Sequence, residues 1–105
     1  LLEINSTSVA DKSMTVFLSG YIDITTASIL TTYVEQLDEL HHKTLSLNFK
    51  DVSFIDSTGI GAILKIIFSS QDQDFEVKLE EMSTELKDIL EMVGVFRILE
   101  AVQRD

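Results

Sequence analysis

From Met14 to Ser19 apolar and polar residues alternate, with Met14, Val16 and Leu18 on one side, the pattern of a strand with one buried face. A weaker strand pattern covers Leu1 to Val9, and the polar "ADKS" between the two suits a hairpin turn. Gly20 is expected to end the second strand, and "YIDITT" then leads into a helix capped by Thr25 or Thr26. That helix is periodic: Ile29, Leu30, Tyr33, Val34, Leu37 and Leu40 share a face, while Thr32, Glu35, Gln36 and Glu39 fall on the other. "HHK" is placed to close it, where basic groups suit the dipole. "TLSLNF" follows as a strand, then a helix from about Ser57 to Ser70, and then the alternating "DFEVKLE". A third helix from about Ser83 carries Leu86, Ile89, Leu90 and Val93 and stops at Gly94. The tail "VFRILEAVQ" is apolar enough to pack without declaring its type.

The order β-β-α-β-α-β-α predicts an α/β fold whose sheet is mixed and mostly parallel, its later strands joined by right-handed crossovers. Parallel strands covered on both faces read as continuous apolar runs. These strands alternate, so the helices are expected mainly on one face, with the other largely open. Within the second helix Ile60, Ile63, Leu64, Ile67 and Phe68 make the expected core stripe. Ile66 falls off it with Ala62 and Lys65, either as partner surface or, as the preferred reading, under the C-terminal tail.

No linker or repeat divides the 105 residues, which suit one domain over 1–105, and hydrophobic residues at 45% suffice for a packed core. Eighteen acidic residues against eight basic ones give a net charge of −10, which repels nucleic-acid phosphates and anionic lipid. Neither nucleic acid nor membrane is expected as a partner. The absence of cysteine excludes thiol catalysis and fits a cytoplasmic location, as does an N-terminus that reads as a strand rather than a signal segment.

Phe49 to Gly61, "FKDVSFIDSTGIG", places a carboxylate and two hydroxyls where two apolar segments meet. Asp56, Ser57 and Thr58 all suit a helix cap, and Gly59 and Gly61 would let the first turns approach a neighbouring segment. Capping alone leaves one hydroxyl without a role. Catalytic patterns are missing: Ile55, Asp56, Thr58 and Gly59 around Ser57 make no Gly-x-Ser-x-Gly elbow, and there is no Walker loop. A receiver-type phosphoaspartate at Asp56 would need an acidic cluster for Mg²⁺, and Asp23 stands alone. His41 and His42, adjacent on a helix, would point apart, so no metal site is expected. Ser57 as a phosphorylation substrate remains: at a helix start, free N–H groups and the dipole welcome a phosphate without unfolding the helix. Tyr21 and Ile22, before the first helix, either anchor a partner or plug the end of the sheet. Asp23 either caps the helix start or contacts a partner, and the two roles are compatible.

The chain resembles the STAS domains, and among them the single-domain anti-sigma-factor antagonists of bacterial partner switching. The resemblance rests on "DVSFIDSTGIGAIL" (51–64), "SGYIDITTASIL" (19–30) and "ILEMVGVFRIL" (89–99), in the family's order. It implies one STAS domain that is a substrate and inhibitor rather than an enzyme, with outputs such as stress response or sporulation. Its partners would be an anti-sigma-factor serine kinase, which phosphorylates Ser57, and a PP2C-type phosphatase, which resets the switch. No cofactor of its own is implied, Mg-ATP being used by the kinase. The implied partner surface holds Tyr21, Ile22, Asp23, Asp56, Thr58, Gly59, Ile60 and Gly61. A STAS module serving as a scaffold, or as a regulatory part of a larger protein such as an anion transporter, is the alternative. One segment departs from the family: "SSQDQD" (69–74) stands where a Gly-rich turn is usual, and it is still expected to turn.

Overall fold

The computed structural model of the protein describes residues 1–10 and 12–103. Its elements are β1 (Leu2–Ala10), β2 (Ser13–Ile22), α1 (Ala27–Glu35), β3 (Thr44–Ile55), α2 (Ser57–Gln73), β4 (Glu76–Glu80), α3 (Thr84–Met92) and α4 (Val95–Val102). The sheet runs β1-β2-β3-β4, with β1 antiparallel to β2 and the other two pairings parallel. The expected α/β class and mostly parallel sheet are therefore present. Val16, Leu18, Leu45, Leu47, Phe49 and Val77 are buried against the helices. The residues between them, such as Phe17, Asn48 and Lys78, belong to the open face and are exposed or half-buried. The ambiguous tail is a helix, α4, with Val95 buried and Phe96, Ile98, Leu99 and Val102 packed partly against the core. No helix among the described residues is long and apolar enough to cross a membrane.

Two strands run further than alternation indicates. β2 continues through Gly20 to Ile22. Gly20 has φ +112°, and its missing Cβ leaves room for the Leu1 carbonyl, which accepts the Tyr21 N–H at 3.1 Å. β3 runs past Phe49 to Ile55, with Phe49, Val52 and Ile55 buried at intervals of three. The register explains the spacing: Phe17 pairs with Asn48 but Ser19 with Asp51, and Gly20 with Val52 but Tyr21 with Phe54. β3 thus carries an extra residue at each of two bulges, which resets the inward face each time.

α1 is shorter than its periodicity predicts. It ends at Glu35 with no basic residue in its last turn, and Ile29, expected in the core, is exposed. Leu40 is still buried, carried on an irregular segment with left-handed residues at Glu39 and His42. The histidines are therefore not helical, and the premise that their rings diverge fails: the centroids lie 3.7 Å apart.

α2 is rotated from the expected stripe. Gly59, Ala62, Ile63, Ile66, Ile67 and Ser70 are buried, and Phe68 is exposed. Ile66 faces α1 rather than the tail, sharing a crevice with Thr31, Val34 and Leu40. α1, lying alongside α2, adds a second buried stripe that the one-face pattern does not anticipate. The "SSQDQD" segment extends α2 by three residues beyond Ser70, and Asp74 takes the left-handed C-cap position (φ 57°) that glycine commonly fills.

Candidate functional site

The site lies where β2 and β3 end and α1 and α2 begin. Asp56 joins the two halves. One carboxylate oxygen caps α2 by accepting the Gly59 N–H at 2.9 Å, and the other accepts the Ile24 N–H at 3.1 Å. The Asp56 N–H donates to the Ile22 carbonyl at 3.2 Å, so the last residue of β2 and the cap of α2 are held together.

Asp23 organises the other half. Its carboxylate accepts the Thr25 hydroxyl at 2.7 Å and the Thr25 N–H at 2.9 Å, closing an Asx-type turn. The Thr26 hydroxyl has one hydrogen. It donates to the Tyr21 carbonyl at 2.7 Å in preference to the Asp23 carboxylate at 3.2 Å, and accepts the Asp23 N–H at 2.9 Å. Thr26 thus stands at the N-cap position of α1 without bonding the helix, its hydroxyl being used by the loop.

The Thr25 hydroxyl bond, with help from the Thr25 N–H and Thr26, outweighs partial desolvation and holds the Asp23 carboxyl below the ordinary aspartate value. A depressed folded-state value means that the contribution is present above the unfolded value and is lost as pH falls through the depressed one. The loop should therefore keep its shape at neutral pH and loosen only in acid. Thr25→Ala is expected to raise the Asp23 titration midpoint, followed through its carboxyl carbon by NMR. An unchanged midpoint would refute the role given to the hydroxyl.

Ser57 is the first helical residue of α2 and is exposed, with no hydrogen bond from its hydroxyl among the described residues. Asp56 takes the Gly59 N–H, which leaves the Ser57 and Thr58 N–H groups at the open helix start. Thr58 is exposed and Ile60 half-buried. The glycines divide: a Cβ at Gly59 would lie 2.1 Å from the Ile22 carbonyl oxygen, whereas one at Gly61 would meet nothing within 4 Å. The close approach expected of both is made by Gly59 alone. Tyr21 is exposed, but Ile22 is fully buried, so of this pair Ile22 plugs the sheet end and offers no surface to a partner.

Two apolar residues that the sequence reading did not single out also border the site. Ile24 is 76% exposed on the loop tethered to Asp56, and Phe54 pairs across the sheet with Tyr21 and is exposed like it. A large apolar residue inside the polar turn "DITT" was the available signal for Ile24. Phe54 gave none, because the bulges of β3 hide its face.

A family model described as the STAS domain matches residues 5–104. The chain belongs to the STAS domain family. A curated relative of this STAS domain is the anti-sigma-B factor antagonist of Bacillus subtilis (strain 168), 29% identical over 90 residues, covering 86% of this chain and 82% of the relative. Among solved structures, a sulfate transporter family protein from Wolinella succinogenes aligns with TM-score 0.78 at 22% identity, over 89% of this chain and 75% of that one. The anti-sigma factor antagonist SpoIIAA aligns in its unphosphorylated form with TM-score 0.73 at 18% identity, over 89% and 82% of the two chains. The phosphorylated form of SpoIIAA, from Bacillus, aligns with TM-score 0.69 at 18% identity, over 90% and 86%. At these identities the structural neighbours establish the fold, which antagonists and transporter-linked domains share.

Proposed function

We propose that this STAS domain is an anti-sigma-factor antagonist switched by phosphorylation at Ser57. Unphosphorylated, it binds a cognate anti-sigma serine kinase, which then releases its sigma factor. The kinase ends the interaction by moving the γ-phosphoryl group of Mg-ATP to the Ser57 hydroxyl, leaving ADP, and a PP2C-type phosphatase restores the serine. The domain is substrate and inhibitor in this cycle, not catalyst.

The observation that carries the reading is the presentation of Ser57: an exposed hydroxyl on the first turn of α2, fixed to the Asp23 loop through Asp56. A phosphoryl group there meets the open N–H groups and the positive end of the helix dipole, so the helix survives the modification. It adds about −1.5 to −2 charges beside two carboxylates, Asp23 and Asp56, on a chain that already carries −10. The cost falls on the partner, which would bury that charge. Tyr21, Ile24 and Phe54 supply the exposed apolar anchors of the docking surface, with Thr58 and Gly61 along the start of α2. The named relative supports the same reading.

The test uses the kinase that co-purifies with the unphosphorylated chain in the presence of ADP. With Mg-ATP it should add one phosphoryl group to the wild-type chain and none to Ser57→Ala. Ser57→Asp should weaken binding at least tenfold while circular dichroism stays native. Modification at Thr58 would sink the residue assignment. Equal binding of the phosphorylated and unphosphorylated chains would sink the switch and leave the regulatory-module reading of the same fold.

A further inference from the structure

We propose that His41, His42 and Asp74 form a binding site for one divalent transition-metal ion of the zinc type, at the pole of the molecule opposite Ser57. The two poles are the ends of α2, whose 17 residues span about 25 Å. His42 Nδ1 lies 3.1 Å from an Asp74 carboxylate oxygen and His41 Nδ1 lies 3.9 Å from the same oxygen. One ligand atom from each of the three side chains falls within 4.8 Å of the others. Zinc holds imidazole nitrogen at about 2.0–2.1 Å and carboxylate oxygen at about 2.0–2.2 Å, which puts adjacent ligand atoms roughly 3.3–3.5 Å apart. The two histidine–carboxylate spacings bracket that separation, and torsional changes of the exposed side chains close the remainder, with His41 Nδ1 giving up its 3.3 Å contact with the Gln73 carbonyl.

The backbone, not chance rotamers, brings these groups together. His42 (φ 64°) and Asp74 (φ 57°) are both left-handed, and the His42 N–H donates to the Asp74 carbonyl at 2.7 Å. Left-handed backbone is costly for residues other than glycine, yet here it stands on both sides of the cluster and turns an imidazole and a carboxylate toward each other. All three side chains are about two-thirds exposed, so an ion can reach them without an opening of the fold. The ligand set selects among cations: two imidazoles and one carboxylate suit zinc, nickel or copper, whereas Mg²⁺ and Ca²⁺ prefer oxygen ligands throughout. The fourth position borders a cleft of about 520 Å³ lined in part by Lys43, Gln71 and Gln103, which leaves space for water. A bound ion would pin the segment before β3 to the end of α2.

The experiment titrates zinc chloride into the full chain by calorimetry, above neutral pH. The chain has two histidines, so NMR reports the site without interference. One equivalent of zinc should bind and shift the imidazole signals of both. His42→Ala and Asp74→Asn should each weaken binding at least tenfold, with circular dichroism unchanged, while the nearby Asp72→Asn should bind as wild type. The thermal midpoint should rise with zinc in the wild type and not in His42→Ala. Imidazole signals that stay still at one equivalent would overturn the site, leaving only the side-chain contact between His42 and Asp74. Equal binding by His42→Ala and Asp74→Asn would overturn it in favour of loose association with surface carboxylates. Mg²⁺ moving the imidazole signals as effectively as zinc would overturn the assignment to a transition metal.

Discussion

Replacing Gly59 by alanine is expected to destabilise the domain by about 3 kcal/mol, while the same change at Gly61 leaves it unchanged or slightly more stable. The new Cβ at residue 59 would fall 2.1 Å from the Ile22 carbonyl oxygen and 2.8 Å from Ile55 Cγ1. Neither neighbour can yield cheaply. The Ile22 carbonyl accepts the Asp56 N–H, and the Ile22 and Ile55 side chains are both buried. Overpacking of this kind costs about 1–3 kcal/mol in a well-packed core, and here the obstacle is backbone rather than the tip of a side chain. Against a total stability of about 5–15 kcal/mol for such a domain, the loss is large. At Gly61 a methyl group meets nothing within 4 Å, and alanine gains about 0.5–1 kcal/mol of helix propensity over glycine. Urea denaturation of the two variants decides the matter. A Gly59→Ala chain as stable as the wild type would show that α2 is not seated against the end of β2.

The second large effect is expected at Asp56, because its two oxygens do different things. Asp56→Ala removes the α2 cap and the tether to Ile24 together, at a cost of about 1–2 kcal/mol. Asp56→Asn separates the roles. Asparagine caps a helix as well as aspartate does, but its side chain has one acceptor oxygen. If that oxygen takes the Gly59 N–H, the NH₂ group is left facing the Ile24 N–H, donor against donor. Asn should therefore recover most of the helix stability while the Ile24 amide gains fast hydrogen exchange and the Asp23 loop loosens. Under the proposed switch, the rate at which the kinase modifies Ser57 should fall with the loosened loop. Full stability in Asp56→Ala would remove the capping role, and native Ile24 protection in Asp56→Asn would remove the tether.

Much of this arrangement is legible in the chain itself. Alternation in "MTVFLS" and "TLSLNF" locates the central strands and their buried face. Of the three cap candidates Asp56, Ser57 and Thr58, Asp56 caps α2, and Ser83, where the third helix was expected to start, caps α3. The family motif brings Ser57 to notice, and local chemistry explains why a helix would begin there. The misreadings have physical causes. β3 takes an extra residue at two bulges, so its buried positions at 49, 52 and 55 follow no two-residue period. The apolar stripe of α1 continues beyond Glu35 to Leu40, because an irregular segment can bury a leucine as well as a helix can. The two histidines then occupy a turn, and their relation to Asp74 depends on residues 32 positions apart.

The sequence by itself determined the order of strands and helices as far as α3, the open face of the sheet and the helix start at which the serine stands. These follow from local period and capping chemistry, which act within a few residues. Which of two glycines is structurally required, which apolar loop residue is buried and which exposed, and which distant groups face one another were decided by tertiary structure. Gly59 and Gly61 fall on nearly opposite sides of a helix, but which side meets the sheet was not given correctly by the apolar stripe, and Ile22 and Ile24 are alike as apolar neighbours of Asp23. Only the approach of β2 to the start of α2 distinguishes them, because steric exclusion and burial depend on what a distant part of the chain brings into contact.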